Sequence, residues 1–151
     1  MDTDASSALD NKSEIAAIRI LLVDDHEVAR RALRAVINLN PSLEVVAEAA
    51  DGEEAIQKVK ELHPDIVLLD VSLPGISGIQ AVPQIRANSP ESRIIFVSQH
   101  IAVALAKDAL RGGAYGYVVK SDAGLDLLSA IEAAHEGRRF VSRTLHTSGW
   151  A

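Results

Sequence analysis

Between Asp65 and Asp70 stand four consecutive aliphatic residues, Ile66, Val67, Leu68 and Leu69, followed by Val71-Ser72-Leu73-Pro74-Gly75. Four such residues in a row cannot alternate between core and water. They predict a short strand covered on both faces, as in the middle of a parallel sheet. Asp70 then marks the strand's carboxyl end, where open α/β sheets collect ligands. A plainer reading is that Asp70 only starts the turn completed by Pro74-Gly75. The residue alone does not separate the two.

The segments on either side fit the same architecture. Ile18 to Val23 predicts a first strand, ending on Asp24-Asp25. A helix follows from about Glu27 with Val28, Ala32, Leu33, Val36 and Ile37 on one face, stopping before Asn40-Pro41. Leu43 to Ala49 predicts a second strand. Asp51 and Glu54 form a capping pair for a helix whose apolar face is Ala55, Ile56, Val59 and Leu62. After Asp70, a helix is expected over Ile79 to Ala87, weakened or kinked in its first turns by Pro83. Arg93 to Ser98 predicts a fourth strand, Ala102 to Arg111 a helix closed by Gly112-Gly113, and Tyr115 to Val119 a fifth strand leading into Lys120. Asp122 is expected to cap a last helix with Leu125, Leu128, Ile131 and Ala134 inward and Gly137 at its end. Five strands alternating with helices predict an α/β fold, a doubly wound five-stranded parallel sheet with helices on both faces. Residues 1–14 are expected to be a disordered leader, 15–137 the domain, and 138–151 a basic tail or the start of a linker.

Composition narrows the class. Hydrophobic residues make up 48% of the 151, but aromatics only 3%, so the core must be built from Val, Ile, Leu and Ala. Cysteine is absent, which removes disulfides and thiolate metal sites. No apolar run approaches the ~20 residues of a membrane span, so a cytoplasmic protein with no membrane partner is expected. The net charge of −6 resides in the body. Asp2, Asp4, Asp10 and Glu14 against Lys12 at one end are matched by Arg138, Arg139 and Arg143 at the other. A body of that sign repels a phosphate backbone, so no direct nucleic-acid binding is expected.

Four strand ends carry functional groups: Asp24-Asp25, Asp70, Ser98 and Lys120. In a parallel sheet these ends share one edge. Three carboxylates gathered there repel one another unless positive charge sits among them. Lys120 supplies one charge. Oxygen ligands without His or Cys point to Mg²⁺ for the rest. A carboxylate nucleophile, a divalent cation, an ammonium and a hydroxyl together are what phosphoryl transfer to an aspartate requires.

With these residues in place, the chain resembles the receiver domain of bacterial response regulators from about Ile18 to Gly137. The resemblance rests on Leu21-Leu22-Val23-Asp24-Asp25-His26-Glu27, the run Asp65 to Asp70, Gly112-Gly113-Ala114-Tyr115-Gly116-Tyr117, and Lys120. These pieces are most similar to the NarL/FixJ branch, whose helix-turn-helix output domain has no counterpart in the 151 residues. The resemblance implies a flavodoxin-like, CheY-like (βα)5 fold. It makes Asp70 the phosphoryl acceptor and gives Mg²⁺ to Asp24, Asp25, Asp70 and the carbonyl of Ser72. Ser98 would hold a phosphoryl oxygen, Lys120 would pair with the phosphoryl group, and Tyr117 would be the rotating aromatic that moves inward in the switched state. It further implies a sensor histidine kinase or phosphotransfer protein as partner, a possible homodimer, and a phosphoacceptor switch rather than an enzyme. One departure is Ser121, where the family often has proline.

Each residue also has a local reading. Asp24-Asp25 could cap the first helix, Lys120 could be a surface lysine, and Tyr117 is an ordinary strand residue. His26 reads as a helix-start residue, and His100, two positions after Ser98, could border the path of a hydrolytic water. A flavin binder of the same fold would not place two carboxylates after its first strand. An aspartyl-phosphate phosphatase would want an acid at position 72. A pseudo-receiver, acting only as a protein-binding module, is the remaining alternative.

Overall fold

The computed structural model describes residues 17–150, so the expected leader over residues 1–14 lies outside the described residues. Strands β1 (Ile18–Val23), β2 (Leu43–Ala49), β3 (Ile66–Leu69), β4 (Arg93–Ser98) and β5 (Gly116–Val119) alternate with α1 (Glu27–Ile37), α2 (Gly52–Leu62), α3 (Gly78–Asn88), α4 (Val103–Arg111) and α5 (Ala123–His135). Beyond the expected five, a two-residue strand β6 (Phe140–Val141) and a short helix α6 (Arg143–Thr147) follow. The sheet order is β2-β1-β3-β4-β5-β6, and every pairing is parallel. β1 lies between β2 and β3, so the chain reverses its direction of winding there. The crevice at that reversal opens at the carboxyl ends of β1 and β3.

The pleat divides the core into two layers. Leu21, Val23, Val67, Leu69, Ile94 and Phe96 point to one face, where Ala55 and Val59 of α2, Ala81 and Ile85 of α3, and Ala106 and Ala109 of α4 cover them. Ile20, Leu22, Ile66, Leu68, Ile95 and Val97 point to the other, beneath Leu33 and Ile37 of α1 and Leu127 and Ile131 of α5. All four residues of β3 are buried on both faces, as the continuous aliphatic run requires.

The helices begin and end on specific groups. The Asp51 carboxylate accepts from the Glu54 amide at the start of α2. Ser77 and Gln80 form a reciprocal capping box that starts α3 at Gly78, one residue before the expected start. Pro83 lies inside α3, which runs on to Asn88. Pro83 has no N–H to give the Ile79 carbonyl, and packing of Ala81, Val82 and Ile85 makes up for it. Two expected faces are corrected. In α1, Val28 is 75% exposed and Ala32 is exposed too, so the inner stripe is Leu33 and Ile37. In α5, Leu125 is 68% exposed, and the buried stripe is Ala123, Leu127, Ala130, Ile131 and Ala134.

Asp122 immediately precedes α5, but its side chain makes no cap there. The buried carboxylate instead accepts from the Ser142 hydroxyl, the Thr144 amide (3.0 Å) and the Thr144 hydroxyl (2.6 Å). Asp126, one turn later, accepts from the Arg143 amide (3.0 Å) and Nε (2.9 Å). These bonds pin β6 and α6 to the edge of the sheet and seat Leu145 in the core. Residues 138–147 therefore belong to the folded body.

Burial pushes the Asp122 carboxyl up, but the hydrogen bonds from Ser142 and Thr144 and the Arg143 charge outweigh it and hold it below the ordinary aspartate value. A depressed folded-state value contributes stability above the unfolded-state pKa of about 3.9, and that contribution is lost as pH falls through the folded value. Asp122→Ala should cost about 2–4 kcal/mol at pH 7, because it leaves buried donors unpaired. Urea unfolding of both proteins should show that gap constant from pH 7 to about 5 and shrinking below about 4. A gap unchanged down to pH 2 would contradict this account of the C-terminal segment.

Candidate functional site

Backbone pairing carries past the strand ends and sets the site's spacing. The Asp70 amide donates to the Val23 carbonyl (3.0 Å), and the Asp24 amide donates to the Ala49 carbonyl (3.0 Å). The first residues after β1 and β3 are thereby held side by side. Asp24 is 1% exposed and Asp70 4%, whereas Asp25 faces solvent. Each buried carboxylate folds one oxygen back on the amide two residues ahead: Asp24 Oδ1 accepts from His26 N (2.9 Å), and Asp70 Oδ1 accepts from Ser72 N (3.1 Å). Both second oxygens face one ammonium. Lys120 Nζ donates to Asp70 Oδ2 at 2.9 Å and lies 2.6 Å from Asp24 Oδ2.

That single ammonium bridges two buried carboxylates from the far side of the sheet. Burial pulls the Lys120 pKa down, but the hydrogen bonds and charges of Asp24 and Asp70 more than offset it, and the net direction is upward. Lys120 is therefore a fixed positive charge at neutral pH. It does not balance the site by itself, since Asp24, Asp25 and Asp70 bring three negative charges. Asp24 Oδ2 is buried and shares the Lys120 ammonium with Asp70 Oδ2. Single oxygens of Asp24, Asp25 and Asp70, with a His26 ring nitrogen, all lie within 4.8 Å of one another. Hard oxygen donors at that spacing suit a small divalent cation.

The loop after Asp70 returns tightly. The Gly78 amide donates to the Val71 carbonyl (2.9 Å), and a Cβ at Gly78 would collide with the Asp70 carbonyl oxygen. Only glycine allows α3 to start this close to the acidic pocket.

Ser98 ends β4, Tyr117 is the second residue of the neighbouring β5, and both are fully buried. The Ser98 Oγ accepts from the His100 amide (3.1 Å), and the Tyr117 hydroxyl donates to the His100 carbonyl (3.0 Å). Burial pushes the Tyr117 phenol up, Ser98 pulls against it, and the charge of Asp70 adds to the rise. The His100 ring reaches back to the loop after Asp70, with Nε2 3.0 Å from Ser72 Oγ. The Lys120–Ser121 peptide is trans, there being no cis bond among the described residues.

The structure thus brings together Asp24, Asp25, Asp70 and Lys120, with Ser72 bonded to Asp70. Ser98 and Tyr117 form a second group, tied to the first through His100. His26 starts α1, as its position suggested, but its Nδ1 also lies 3.1 Å from Asp25 Oδ1. Nothing in the sequence links His100 to Ser72, because that contact spans 28 residues.

Comparisons with known proteins agree with this geometry. The family described as the response regulator receiver domain matches residues 20–132. Among curated proteins, the oxygen regulatory protein NreC of Staphylococcus haemolyticus is 37% identical over 132 residues, which cover 87% of this chain. NreC of Staphylococcus aureus is 39% identical over the same length. The chain spans about 61% of the length of these relatives. Among solved structures, a LuxR-family two-component response regulator from an Aurantimonas species is 43% identical with a TM-score of 0.81, covering 85% of this chain and 92% of that one. The signal receiver domain of NarL from Mycobacterium tuberculosis is 31% identical with a TM-score of 0.75, covering 80% of this chain and 98% of that one. With the match over residues 20–132 and the acidic cluster at the β1 and β3 ends, the chain belongs to the response regulator receiver domain family, among the CheY-like signalling modules of two-component systems.

Proposed function

We propose that Asp70 accepts a phosphoryl group from a phosphohistidine donor in a Mg²⁺-dependent step, and that the phosphorylated chain switches a protein-interaction surface. The observation that carries this reading is the buried Asp70 carboxylate, held 2.9 Å from Lys120 Nζ beside Asp24 and Asp25. In the transfer, the donor's P–N bond breaks as a bond forms from an Asp70 oxygen to phosphorus. Asp24, Asp25, Asp70 and the carbonyl of Ser72 would hold a Mg²⁺ ion, whose charge would neutralise the incoming phosphoryl oxygens. Lys120 keeps its proton and takes a phosphoryl oxygen in place of the Asp70 oxygen it now holds. The intact acid, lysine and serine set favours this over a pseudo-receiver.

The output step is tied to Ser98. Its hydroxyl is now engaged by the His100 amide, so reaching a phosphoryl oxygen means giving up that bond and shifting the β4–α4 loop. Tyr117 is already buried with its hydroxyl on the His100 carbonyl, so in place of the expected inward movement its ring stays in while the loop carrying His100 shifts. The donor would be a sensor histidine kinase or phosphotransfer protein in the cytoplasm, and the readout a protein contact, a second copy of the chain included. No helix of the described residues is long and apolar enough to cross a membrane.

Incubation with Mg²⁺ and acetyl phosphate should add one phosphoryl mass to the wild type and none to Asp70→Asn. Equal labelling of the two would remove Asp70 as acceptor. In a separate test of the metal role, Asp25→Ala should weaken Mg²⁺ binding at least tenfold, because two carboxylates cannot supply the charge of the octahedral site. Unchanged affinity by calorimetry would favour the pseudo-receiver.

A further inference from the structure

The amino-terminal edge of the sheet, opposite the acidic pocket, carries an arrangement that phosphoryl transfer does not use. The chain has ten arginines, and six of them, Arg30, Arg31, Arg34, Arg111, Arg138 and Arg143, pair with carboxylates. Of the four without a carboxylate partner among the described residues, three converge on one cleft of about 270 Å³: Arg86, Arg93 and Arg139. They arrive from α3, from the start of β4 and from the turn before β6. In a chain of net charge −6, three guanidinium groups without carboxylate partners at one place call for an explanation.

Each guanidinium is fixed by backbone. Arg86 Nη1 donates to the Gly112 carbonyl (3.0 Å), and Arg139 Nη1 to the Leu110 carbonyl (3.0 Å), both at the end of α4. Arg93 Nη1 donates to the Ala134 and His135 carbonyls (2.6 and 2.8 Å) at the end of α5. Arg93 and Arg139 also lie against the Tyr115 ring, at 5.1 and 5.9 Å from its centre. Arg86 rests where a Cβ at residue 113 would stand, so Gly113 is what admits it. Capping helix carbonyls explains one nitrogen of each arginine. It leaves Nε and Nη2 of all three without a protein acceptor among the described residues.

We propose that this cleft is a binding site for an oligophosphate, either free or as the phosphate chain of a nucleotide. Three positive charges on a rigid frame match a small anion of several charges, and a guanidinium binds phosphate oxygens through paired donors. Guanidinium groups already lie against Tyr115, so no base-stacking platform is implied and the phosphates carry recognition. Among the described residues Glu91 is the carboxylate bordering the cleft. It is turned toward Ser89 Oγ (3.0 Å) and His63 Nδ1 (3.1 Å), and its charge still opposes an anion nearby. The ordering cost is small because the arginines are held before the ligand arrives.

The test uses the full chain in EDTA, without Mg²⁺, so that the acidic pocket cannot take part. Tripolyphosphate, ADP and citrate are titrated in turn while amide resonances of Gly113 and Tyr115 are followed by NMR. The expected result is saturable shifts at those amides with tripolyphosphate. A matching affinity for ADP would assign the site to a nucleotide's phosphate chain, and a much weaker one to free oligophosphate. Arg86→Gln, Arg93→Gln and Arg139→Gln should each weaken binding about tenfold, the loss expected for one charged hydrogen-bonding group. Glu91→Gln, which leaves the three arginines in place, should tighten it. Absence of saturation, affinity unchanged in the arginine variants and in Glu91→Gln, or citrate binding as well as tripolyphosphate would overturn the proposal.

Discussion

The ammonium of Lys120 between Asp24 and Asp70 is the interaction on which the rest of the site depends. It joins the ends of β1, β3 and β5, three strands that the sheet order places within reach of one another. Two buried carboxylates side by side would repel at close range, and burial would amplify the repulsion. Lys120 lowers that cost enough for both to stay inside. It leaves the pocket with an excess of negative charge, and on the proposed function that residual charge is what would draw in a cation and then a phosphoryl group. One ammonium shared by two buried carboxylates, with Asp25 beside them, is the local sign of this imbalance. A site balanced by Lys120 alone would have no reason to bind either.

The fold supports that pocket at two levels. β3 supplies a rigid floor because its four side chains are locked between the two helical layers. Gly78 lets α3 begin against the Asp70 carbonyl, which fixes the loop after Asp70 from the other side. On the β5 side, Lys120 and Asp122 are two residues apart on one turn. Lys120 reaches Asp70 and Asp122 holds Ser142 and Thr144. If Lys120 changes partner as proposed, any movement of that turn would be felt directly by the segment that follows α5.

How far the sequence revealed this structure depended on whether a signal was local. Ile66 to Leu69 was legible because four aliphatic residues in succession admit one kind of strand, and the positions of Asp24, Asp70, Ser98 and Lys120 follow from strand ends alone. Phase was harder to read. α5 carries apolar residues almost all round, so choosing Leu125 over Leu127 as an inward position was open until packing decided it. β6 and α6 were invisible because their stability comes from Asp122 and Asp126, 16 to 22 residues away, and not from any periodicity of their own. The His100 contact with Ser72 and the gathering of Arg86, Arg93 and Arg139 are likewise products of tertiary structure.

If Lys120 and a cation share the carboxylates as competing positive charges, the competition is measurable. Calorimetric titration of Mg²⁺ into the wild type and into Lys120→Met should show one site per chain in both, with tighter binding in the variant, because the ammonium no longer neutralises Asp24 and Asp70. Binding that is equal in the two proteins, or lost when Lys120 is replaced, would contradict the view that residual negative charge organises the pocket.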